Sequence, residues 1–399
     1  MSTAAPHRPA STVGGPLLVV AIVLVALNLR APLVAISPVI EAIRTDLGVS
    51  AGIAGLLTSL PVLAFALASP PASWMIGRLG PERAMLVGLG VLGVGTVLRS
   101  SDGVAGALIG TALIGAGITV GNIVMPVVIG RDFPHRSGPL FGIYTATMNV
   151  GSMITLSLTV PIAAGTGWRL ALCVWLVFAV AAVVVWRLAT RRREGEVEAL
   201  PDDGAGPARA PATRLVPWLL LIGFGGQSFS YYGLTAWLPE ILRDLRGLDA
   251  ASAGTASSLF QILAVAGALV TPLVARRASL RLAFLPVAAG FLALPGGLLL
   301  APALWPLWCS LAGAAQGGGF TVIFAAVLAA SRDATENRRT AAFVQGGGYL
   351  VGALGPWLVG AVHEAGEPPN WQLPLAVVLG ALVLLAVAGC SALTRLRTQ

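Results

Sequence analysis

The chain of 399 residues is 56% hydrophobic and only 11% charged, with a mean hydropathy of +0.85. A soluble protein would carry about a quarter charged residues, so this composition excludes a soluble enzyme and predicts a helical membrane protein with many spans. All 25 basic residues are arginine, and the net charge of +8 indicates membrane orientation rather than nucleic-acid binding.

Twelve apolar segments are long enough to cross a bilayer as helices. They cover residues 15–40, 51–76, 84–100, 103–129, 138–162, 168–189, 215–240, 252–275, 281–300, 302–330, 340–362 and 371–393. The predicted fold class is an all-α membrane protein with twelve transmembrane helices in two pseudo-symmetric six-helix bundles. The bundles are residues 15–189 and 215–393, joined by a polar linker at 190–214 and flanked by tails at 1–14 and 394–399.

The first span carries a charge near its midpoint. Asn28 and Arg30 interrupt an apolar run from Leu17 to Ile40, and a single helix of that length places Arg30 near the bilayer centre. An arginine at that depth costs about 2.5–3.5 kcal/mol on insertion scales, so it normally faces a protein interior or a cavity. The alternatives are a short helix whose arginine reaches the membrane surface and a cleaved signal peptide.

The other arginines are distributed unevenly between the two sides of the membrane. If both chain ends are cytoplasmic, 19 arginines lie on the cytoplasmic side, five lie on the other side, and Arg30 lies within the membrane. Because basic loop residues favour the cytoplasm, this split predicts a multi-pass protein of the inner or plasma membrane with both termini and the linker in the cytoplasm. The five on the other side are Arg44, Arg99, Arg169, Arg243 and Arg246.

The two halves resemble each other at a nearly constant offset of 201 to 202 residues. The matched positions are Pro38 with Pro239, Ser50-Ala51-Gly52 with Ser252-Ala253-Gly254, Arg131-Asp132 with Arg332-Asp333, Phe141 with Phe343, and Gly151 with Gly352. Two parallel repeats predict a substrate path at their interface, opened alternately to the two sides. The counterpart of Arg30 lies in the polar stretch 227–232, and a cleaved signal peptide would destroy this symmetry, so that alternative is dropped.

Two short motifs carry a family resemblance. Asn28-Leu29-Arg30 is followed by Pro32 and by Ser37-Pro38, and the loop after the second span reads Arg78-Leu79-Gly80-Pro81-Glu82-Arg83. Together with the repeat, this resembles the major facilitator superfamily and, within it, the cyanate and nitroimidazole permease family. The resemblance implies transport of small, often anionic or planar organic solutes. Ala31 departs from the family pattern by separating Arg30 from Pro32. The loop also lacks the aspartate of the general superfamily motif, so gating by that aspartate does not carry over.

Polar side chains at mid-membrane depth form the candidate substrate site. Arg30 is the main candidate because its fixed charge and planar fork suit a carboxylate or another small anion, and a tyrosine ring can stack on a planar solute. For each amide taken alone, hydrogen bonding between helices is the alternative role. The candidate set is Asn28, Arg30, Asn122, Tyr144, Asn149, Gln227, Tyr231, Tyr232, Gln261, Gln316, Gln345 and Tyr349.

A second set of charged residues lies in or next to the loops on the cytoplasmic side. It is predicted to close that side through a charge network that breaks and re-forms as the halves rock. The alternative is that these arginines only set the topology. The set is Arg78, Arg83, Arg131, Asp132, Arg136, Arg332, Asp333 and Arg338.

The spans contain no aspartate or glutamate away from their ends, where Glu41 and Glu240 stand. If protons are the coupling ion, either an edge carboxylate binds them or an anionic solute carries them. The cysteines lack metal-ligand spacing and the loops lack a nucleophile or an acid pair, so neither a metal, a cofactor nor an enzymatic activity is expected. The hypothesis is a monomeric transporter of a cyanate-like anion, a small carboxylate or a nitroheterocycle by alternating access. A drug or metabolite efflux transporter and a non-transporting membrane sensor are the alternatives.

Overall fold

The structure, a computed structural model, describes residues 15–101, 103–133, 136–191, 211–332, 334–366 and 370–396. Apart from three short 3-10 turns, every regular element in these ranges is an α-helix. The first half contains α1 Gly15–Asn28, α2 Ala31–Val34, α3 Ile40–Leu47, α4 Ala51–Leu67, α5 Ser69–Arg99, α6 Val104–Asp132, α7 Ser137–Val174 and α8 Leu176–Thr190. The second half contains α9 Leu215–Arg246, α10 Ala250–Arg277, α11 Leu280–Leu300, α12 Trp305–Ala329, α13 Ala334–Glu364 and α14 Gln372–Leu396. The predicted tail at 1–14, most of the linker and the last three residues lie outside the described residues.

The helices confirm the predicted fold of twelve spans. Among the described residues, eight stretches are long and apolar enough to cross a membrane, and one of them, Leu140–Thr190, turns at Gly167 and so contains two spans. The remaining spans are α4 continued into the start of α5, the polar-centred α9, and α13. We call the side on which Gly15 and Leu396 lie the terminal side and the opposite side the distal side.

The first span is not the single helix predicted for residues 15–40. α1 ends at Asn28, Arg30 has non-helical dihedral angles (φ −135°, ψ −36°), α2 ends at Val34, and the helical path then continues to Leu47. Proline contributes to both breaks, because it has no N–H to bond the carbonyl four residues earlier. Pro32 stands four residues after the end of α1, and Pro38 stands four residues after the end of α2.

The connections between spans are tighter than predicted. The expected loop after the second span is a turn inside α5, where Gly80 has φ 76° and ψ 160°. Gly167 makes the same turn between the fifth and sixth spans, with φ 76° and ψ 159°. These dihedral angles are essentially restricted to glycine. The second span is itself broken at Ala68, one residue before the Ser69-Pro70-Pro71 step that starts α5.

We expect Gly80→Ala to destabilise the protein by about 1–3 kcal/mol, because a side chain is strained in this region of dihedral space. Gly77→Ala is the matched control, since a methyl group at Gly77 meets nothing within 4 Å and the residue lies in the same helix. Thermal unfolding of both variants in detergent measures the difference. Equal unfolding midpoints would contradict the role given to Gly80.

The internal repeat is visible in the packing of the helices. Gly151 of α7 packs against Leu27 of α1, and Gly352 of α13 packs against Ser228 of α9. Both the glycines and their partners are related by the offset of 201 residues found in the sequence. The two halves therefore use the same crossing point between their first and fifth spans.

The two halves touch at the distal side. Gly55 of α4 packs on the Pro356 carbonyl of α13, and Gly254 of α10 packs on the Leu156 carbonyl of α7. Buried apolar residues from α2, α3 and α4 form one continuous core with the second half. The terminal part of the first half, built from α1, α5, α6 and α8, has a separate core. The halves therefore diverge toward the terminal side, and this leaves room for a cavity between them.

Candidate functional site

Arg30 leaves the helical path at the break in the first span. Its Nη1 donates a hydrogen bond to Asn149 Oδ1 at 2.8 Å, and its guanidinium carbon lies 5.2 Å from the centre of the Tyr231 ring. Such a cation–π contact is favourable when water is excluded. Asn149 belongs to the first half and Tyr231 to the second, so Arg30 lies at the interface between the halves.

Within the described chain, no carboxylate lies at ion-pair distance from Arg30. A guanidinium has five N–H donors, and the side-chain hydrogen bond to Asn149 uses one of them. The charge is half-buried, where its field is screened less than in water. Arg30 can therefore attract an anion or a strong acceptor into the space that it faces.

That space is a cavity of about 860 Å³ between the two halves, with Arg30 in its wall. Its lining includes Pro126, Phe141 and Pro272, which lie toward the terminal ends of α6, α7 and α10. The cavity thus reaches from the middle of the membrane to the terminal side, whereas the distal side is closed by contacts between the halves.

All four tyrosines of the chain gather around Arg30. Tyr231 lies against the guanidinium, and its ring centre is 4.9 Å from that of Tyr232. Phe65 packs edge-on against Tyr349 at 5.6 Å between ring centres. The other three tyrosines line the cavity itself: Tyr144, Tyr232 and Tyr349. A flat solute in this cavity would meet aromatic rings on several sides.

Eight of the twelve predicted site residues line the cavity: Arg30, Asn122, Tyr144, Asn149, Tyr232, Gln316, Gln345 and Tyr349. The other four lie behind its wall. Tyr231 supports Arg30 and donates to Gln261 at 3.2 Å, Gln227 donates to the Gln316 carbonyl at 3.3 Å, and Asn28 donates to the Leu24 carbonyl at 2.8 Å. Gln227 and Gln261 therefore hydrogen-bond between helices, the alternative considered for each amide. Direct contact of any of the twelve with a solute stays a prediction.

The phenylalanines of the wall and one buried arginine are not among the residues predicted from the sequence. Phe65, Phe141, Phe320 and Phe324 line the cavity. The spacing of Phe320 and Phe324, i and i+4, is the one signal that places two of them on a common helix face. Arg99, counted above with the arginines of the non-cytoplasmic side, is only 1% exposed and donates to the Pro32 carbonyl at 2.6 Å. This bond fixes the segment that follows Arg30.

The charge network on the terminal side stays a prediction. Arg131 pairs with Glu82 and with Asp132, and both contacts lie within the first half. The Arg78 guanidinium lies over the Trp74 ring of its own helix, 4.3 Å from the ring centre. Arg83, Arg136 and Arg332 are exposed. Asp333 and the side chain of Arg338 lie outside the described residues.

The described residues form twelve membrane helices in two related halves, and Arg30 brings a charge into the cavity between the halves at mid-membrane depth. This arrangement defines a membrane transporter. The family model of the Major Facilitator Superfamily matches residues 18–342. The chain belongs to this superfamily, whose members are transporters and not enzymes.

Two relatives are similar over nearly their whole length. The chain is 32% identical to the 2-nitroimidazole transporter of Escherichia coli (strain K12), over 94% of this chain and 95% of that protein. It is 28% identical to the cyanate transport protein CynX of the same organism, over 91% of this chain and 94% of that protein. These relatives confirm the resemblance to the cyanate and nitroimidazole permeases.

A solved structure shows the same fold. It is the bacterial homolog to human lysosomal transporter Spinster, in an inward-facing and unoccupied conformation. It superposes with a TM-score of 0.76 over 98% of both chains. The sequence identity is 15%, so the likeness concerns the fold alone.

Proposed function

We propose that the chain is a secondary active or facilitative transporter of a small planar organic solute that is anionic or carries a nitro group. The observation that carries this proposal is Arg30, a guanidinium at the aromatic wall of the central cavity with no carboxylate partner in the described chain. A planar carboxylate or nitro group matches the fork of a guanidinium through two parallel hydrogen bonds. The solutes named for the two relatives, 2-nitroimidazole and cyanate, support the same class.

The size of the cavity favours a heteroaromatic solute over cyanate. Its volume of about 860 Å³ falls in the range of about 300–1,000 Å³ that is typical of sites for drug-sized ligands. A triatomic anion would contact little of this wall. A nitroheterocycle can place its nitro oxygens on Arg30 and its ring against Tyr144, Tyr232 or Tyr349. We therefore put nitroheterocycles first, small aromatic carboxylates second and cyanate third.

Transport requires that the side of the membrane on which the cavity is closed alternates. Rocking of the bundle 15–189 against the bundle 215–393 closes the terminal side and exposes Arg30 to the distal side. We place the terminal side in the cytoplasm, and the protein in the inner or plasma membrane, because 19 of the 25 arginines lie on that side. The proposed functional unit is a monomer, because a single chain forms the whole wall of the cavity.

One observation favours a second candidate, the export of apolar drugs or metabolites. Phenylalanines from both halves contribute to the wall, and Arg30 is its one charged residue among the described residues. A wall of this kind can bind apolar aromatic molecules without using the guanidinium. The two candidates differ in whether binding depends on the charge of Arg30.

The test of the proposed function is a thermal-stabilisation screen on purified protein. It compares nitroheterocycles, aromatic and small carboxylates, cyanate and apolar neutral aromatics. A solute at about 100 times its Kd stabilises the folded state by about 2.7 kcal/mol. We expect nitroheterocycles or aromatic carboxylates to stabilise most. Stabilisation by apolar aromatics alone would reject the proposal in favour of the export candidate.

Asn149→Asp is expected to separate the two candidates. The new carboxylate would lie at hydrogen-bond distance from Arg30, since Asn149 Oδ1 already accepts from it at 2.8 Å, and would neutralise its charge. Loss of a hydrogen bond to a charged group, about 1.5–3 kcal/mol, weakens binding of an anionic or nitro-bearing solute by about 10- to 150-fold. Asn149→Ala keeps the charge and should weaken binding less. Equal affinities in the two variants, measured by calorimetry, would contradict a role for the charge.

A further inference from the structure

Arg44 joins the two halves at the distal side. Its Nη1 lies 2.8 Å from Glu41 on its own helix and 3.5 Å from Glu240 on α9, and its Nη2 lies 3.9 Å from Glu364 on α13. Glu364 also accepts a hydrogen bond at 2.9 Å from the N–H of Ala51, the first residue of α4. One arginine and one helix N-terminus of the first half thus hold two carboxylates of the second half.

Glu240 is the buried carboxylate of this cluster. It is 6% exposed, and its Oε2 has no hydrogen-bond partner in the described chain. Glu240 lines a small cavity of about 10 Å³ together with Ser37, whose Oγ is likewise buried and unpartnered within the described residues. A space of this volume holds about one water molecule. Two polar side chains from opposite halves therefore share a space suited to a small hydrogen-bonding species.

Carboxylates outnumber arginines around Glu240. Besides Arg44, the titratable groups Asp244 and His363 are close, with polar atoms within 4.8 Å of those of Glu240. Asp249, at the start of α10, binds the N-terminus of its own helix instead. Burial and neighbouring like charges both favour the neutral form of a carboxyl group. The groups that face Glu240 are Glu41 and Arg44 from α3, Arg243 and Asp244 from α9, and His363 and Glu364 from α13.

The partners of Asp244 and His363 keep these two side chains in place. The Trp371 indole N–H donates to Asp244 at 2.8 Å, and its ring stacks on the His363 ring at 3.8 Å between centres. His363 Nδ1 lies 3.1 Å from the Asn370 carbonyl, so a proton on Nδ1 leaves Nε2 as an acceptor. The surroundings of Glu240 are therefore ordered and rich in proton acceptors.

We propose that Glu240 is a proton-binding site that controls the distal side of the transporter. A proton from the distal solution binds Oε2 and removes the negative charge that Arg44 meets across the interface, which weakens closure. Release of that proton restores the ion pair and closes the distal side. The link between this proton and solute movement rests on the proposed transport function, whereas the effect of the proton on closure does not.

The experiment measures distal opening without any solute. Spin labels are attached at Gly165→Cys in α7 and Thr255→Cys in α10, both exposed, in the full chain with its three free cysteines replaced by alanine. Distances between the labels are recorded in lipid nanodiscs between about pH 5 and pH 8, where folded proteins are usually most stable. We expect the distance to lengthen on acidification in the parent chain. In Glu240→Gln, which resembles the protonated residue, the distance should be long at every pH.

Glu41→Gln is the matched control. It removes a carboxylate from the same arginine, but Glu41 lies on the helix of Arg44 and does not join the halves, so the response to pH should persist. Arg44→Gln is a second variant that should be open at every pH, and it tests the proposal if Glu240→Gln does not fold. An unchanged pH response in Glu240→Gln, or no response in the parent chain, overturns the proposal. Loss of the response in EDTA also overturns it, because the cluster would then bind a metal ion.

The same samples report separately on the proposed function. Thermal stabilisation by a nitroheterocycle depends on Arg30, which is a different site from Glu240. An intact pH response without such stabilisation would reject the proposed solute and leave the proton site standing. Stabilisation by the nitroheterocycle without a pH response would reject the proton site and leave the proposed solute standing.

Discussion

Arg30→Ala is expected to weaken binding of an anionic or nitro-bearing solute by about 10- to 150-fold and to stop its uptake. The reason is that Arg30 provides the one positive charge in the wall of the cavity among the described residues. The variant should still insert and fold. Removing Arg30 removes a charged group whose placement within the membrane is costly. The variant loses one described side-chain hydrogen bond, the bond from Arg30 to Asn149.

Uptake into proteoliposomes and calorimetric binding are the two measurements for this variant. Asn28→Ala is a matched control, because Asn28 lies two residues away but bonds the Leu24 carbonyl and does not line the cavity. Arg187→Ala is a second control that removes an exposed guanidinium from the end of α8. Both controls should bind and transport normally. Unchanged binding in Arg30→Ala would show that the arginine serves the structure of the break and not the solute.

The number of spans could be read from the sequence, but the breaks within them could not. Hydropathy reports how long a segment stays apolar, and a broken helix stays apolar across its break. The positions of the prolines do not by themselves predict where a helix breaks. Pro61 and Pro126 lie inside continuous helices, whereas Pro32 and Pro38 follow breaks. Neighbouring helices can satisfy a carbonyl freed by proline. Only the packing, such as the bond from Arg99 to Pro32, decides which prolines break a helix.

The polar part of the candidate site was largely predictable, because a polar side chain in a membrane span needs a reason to be there. The aromatic part was not. Phe320 and Phe324 line the cavity whereas Leu328, further along the same helix, is exposed at the surface, and all three are apolar side chains in the sequence. Likewise Gln227 and Gln345 are both glutamines within membrane spans. The rotation of each helix about its axis places only the Gln345 side chain in the cavity wall.

The closed side also differs from the side on which a gate was predicted. The sequence places most arginines on the terminal side, and this count reports topology. The contacts that hold the halves together in this conformation lie on the distal side, where Arg44 meets Glu240 and Glu364. An ion pair between the halves needs only a few charged residues. The side of the membrane with the most arginines is therefore not identified as the side that ion pairs hold closed.

Small residues make distal closure possible, and their replacement by valine is expected to prevent it. A methyl group at Gly55 would lie 2.5 Å from the Pro356 carbonyl oxygen, and one at Gly254 would meet the Leu156 carbonyl oxygen. A backbone carbonyl cannot rotate away as a flexible side chain can, so the halves must move apart. Overpacking costs about 1–3 kcal/mol, which shifts the balance toward a distal-open form by about 5- to 150-fold. Each half should remain folded, since both clashes lie between the halves.

Thiol labelling can detect the shift caused by Gly254→Val. Ser59 is 4% exposed and accepts a hydrogen bond from the Trp357 N–H across the interface, so Ser59→Cys in a chain otherwise free of cysteine is protected while the distal side is closed. We expect Gly254→Val to raise its reaction rate with a membrane-impermeant maleimide by the same 5- to 150-fold and to stop uptake, because a transporter that cannot close one side cannot alternate. Gly90→Val is the matched control, since a Cβ atom added there meets nothing within 4 Å. Equal labelling rates in the two valine variants would mean that the contact at Gly254 does not hold the distal side shut.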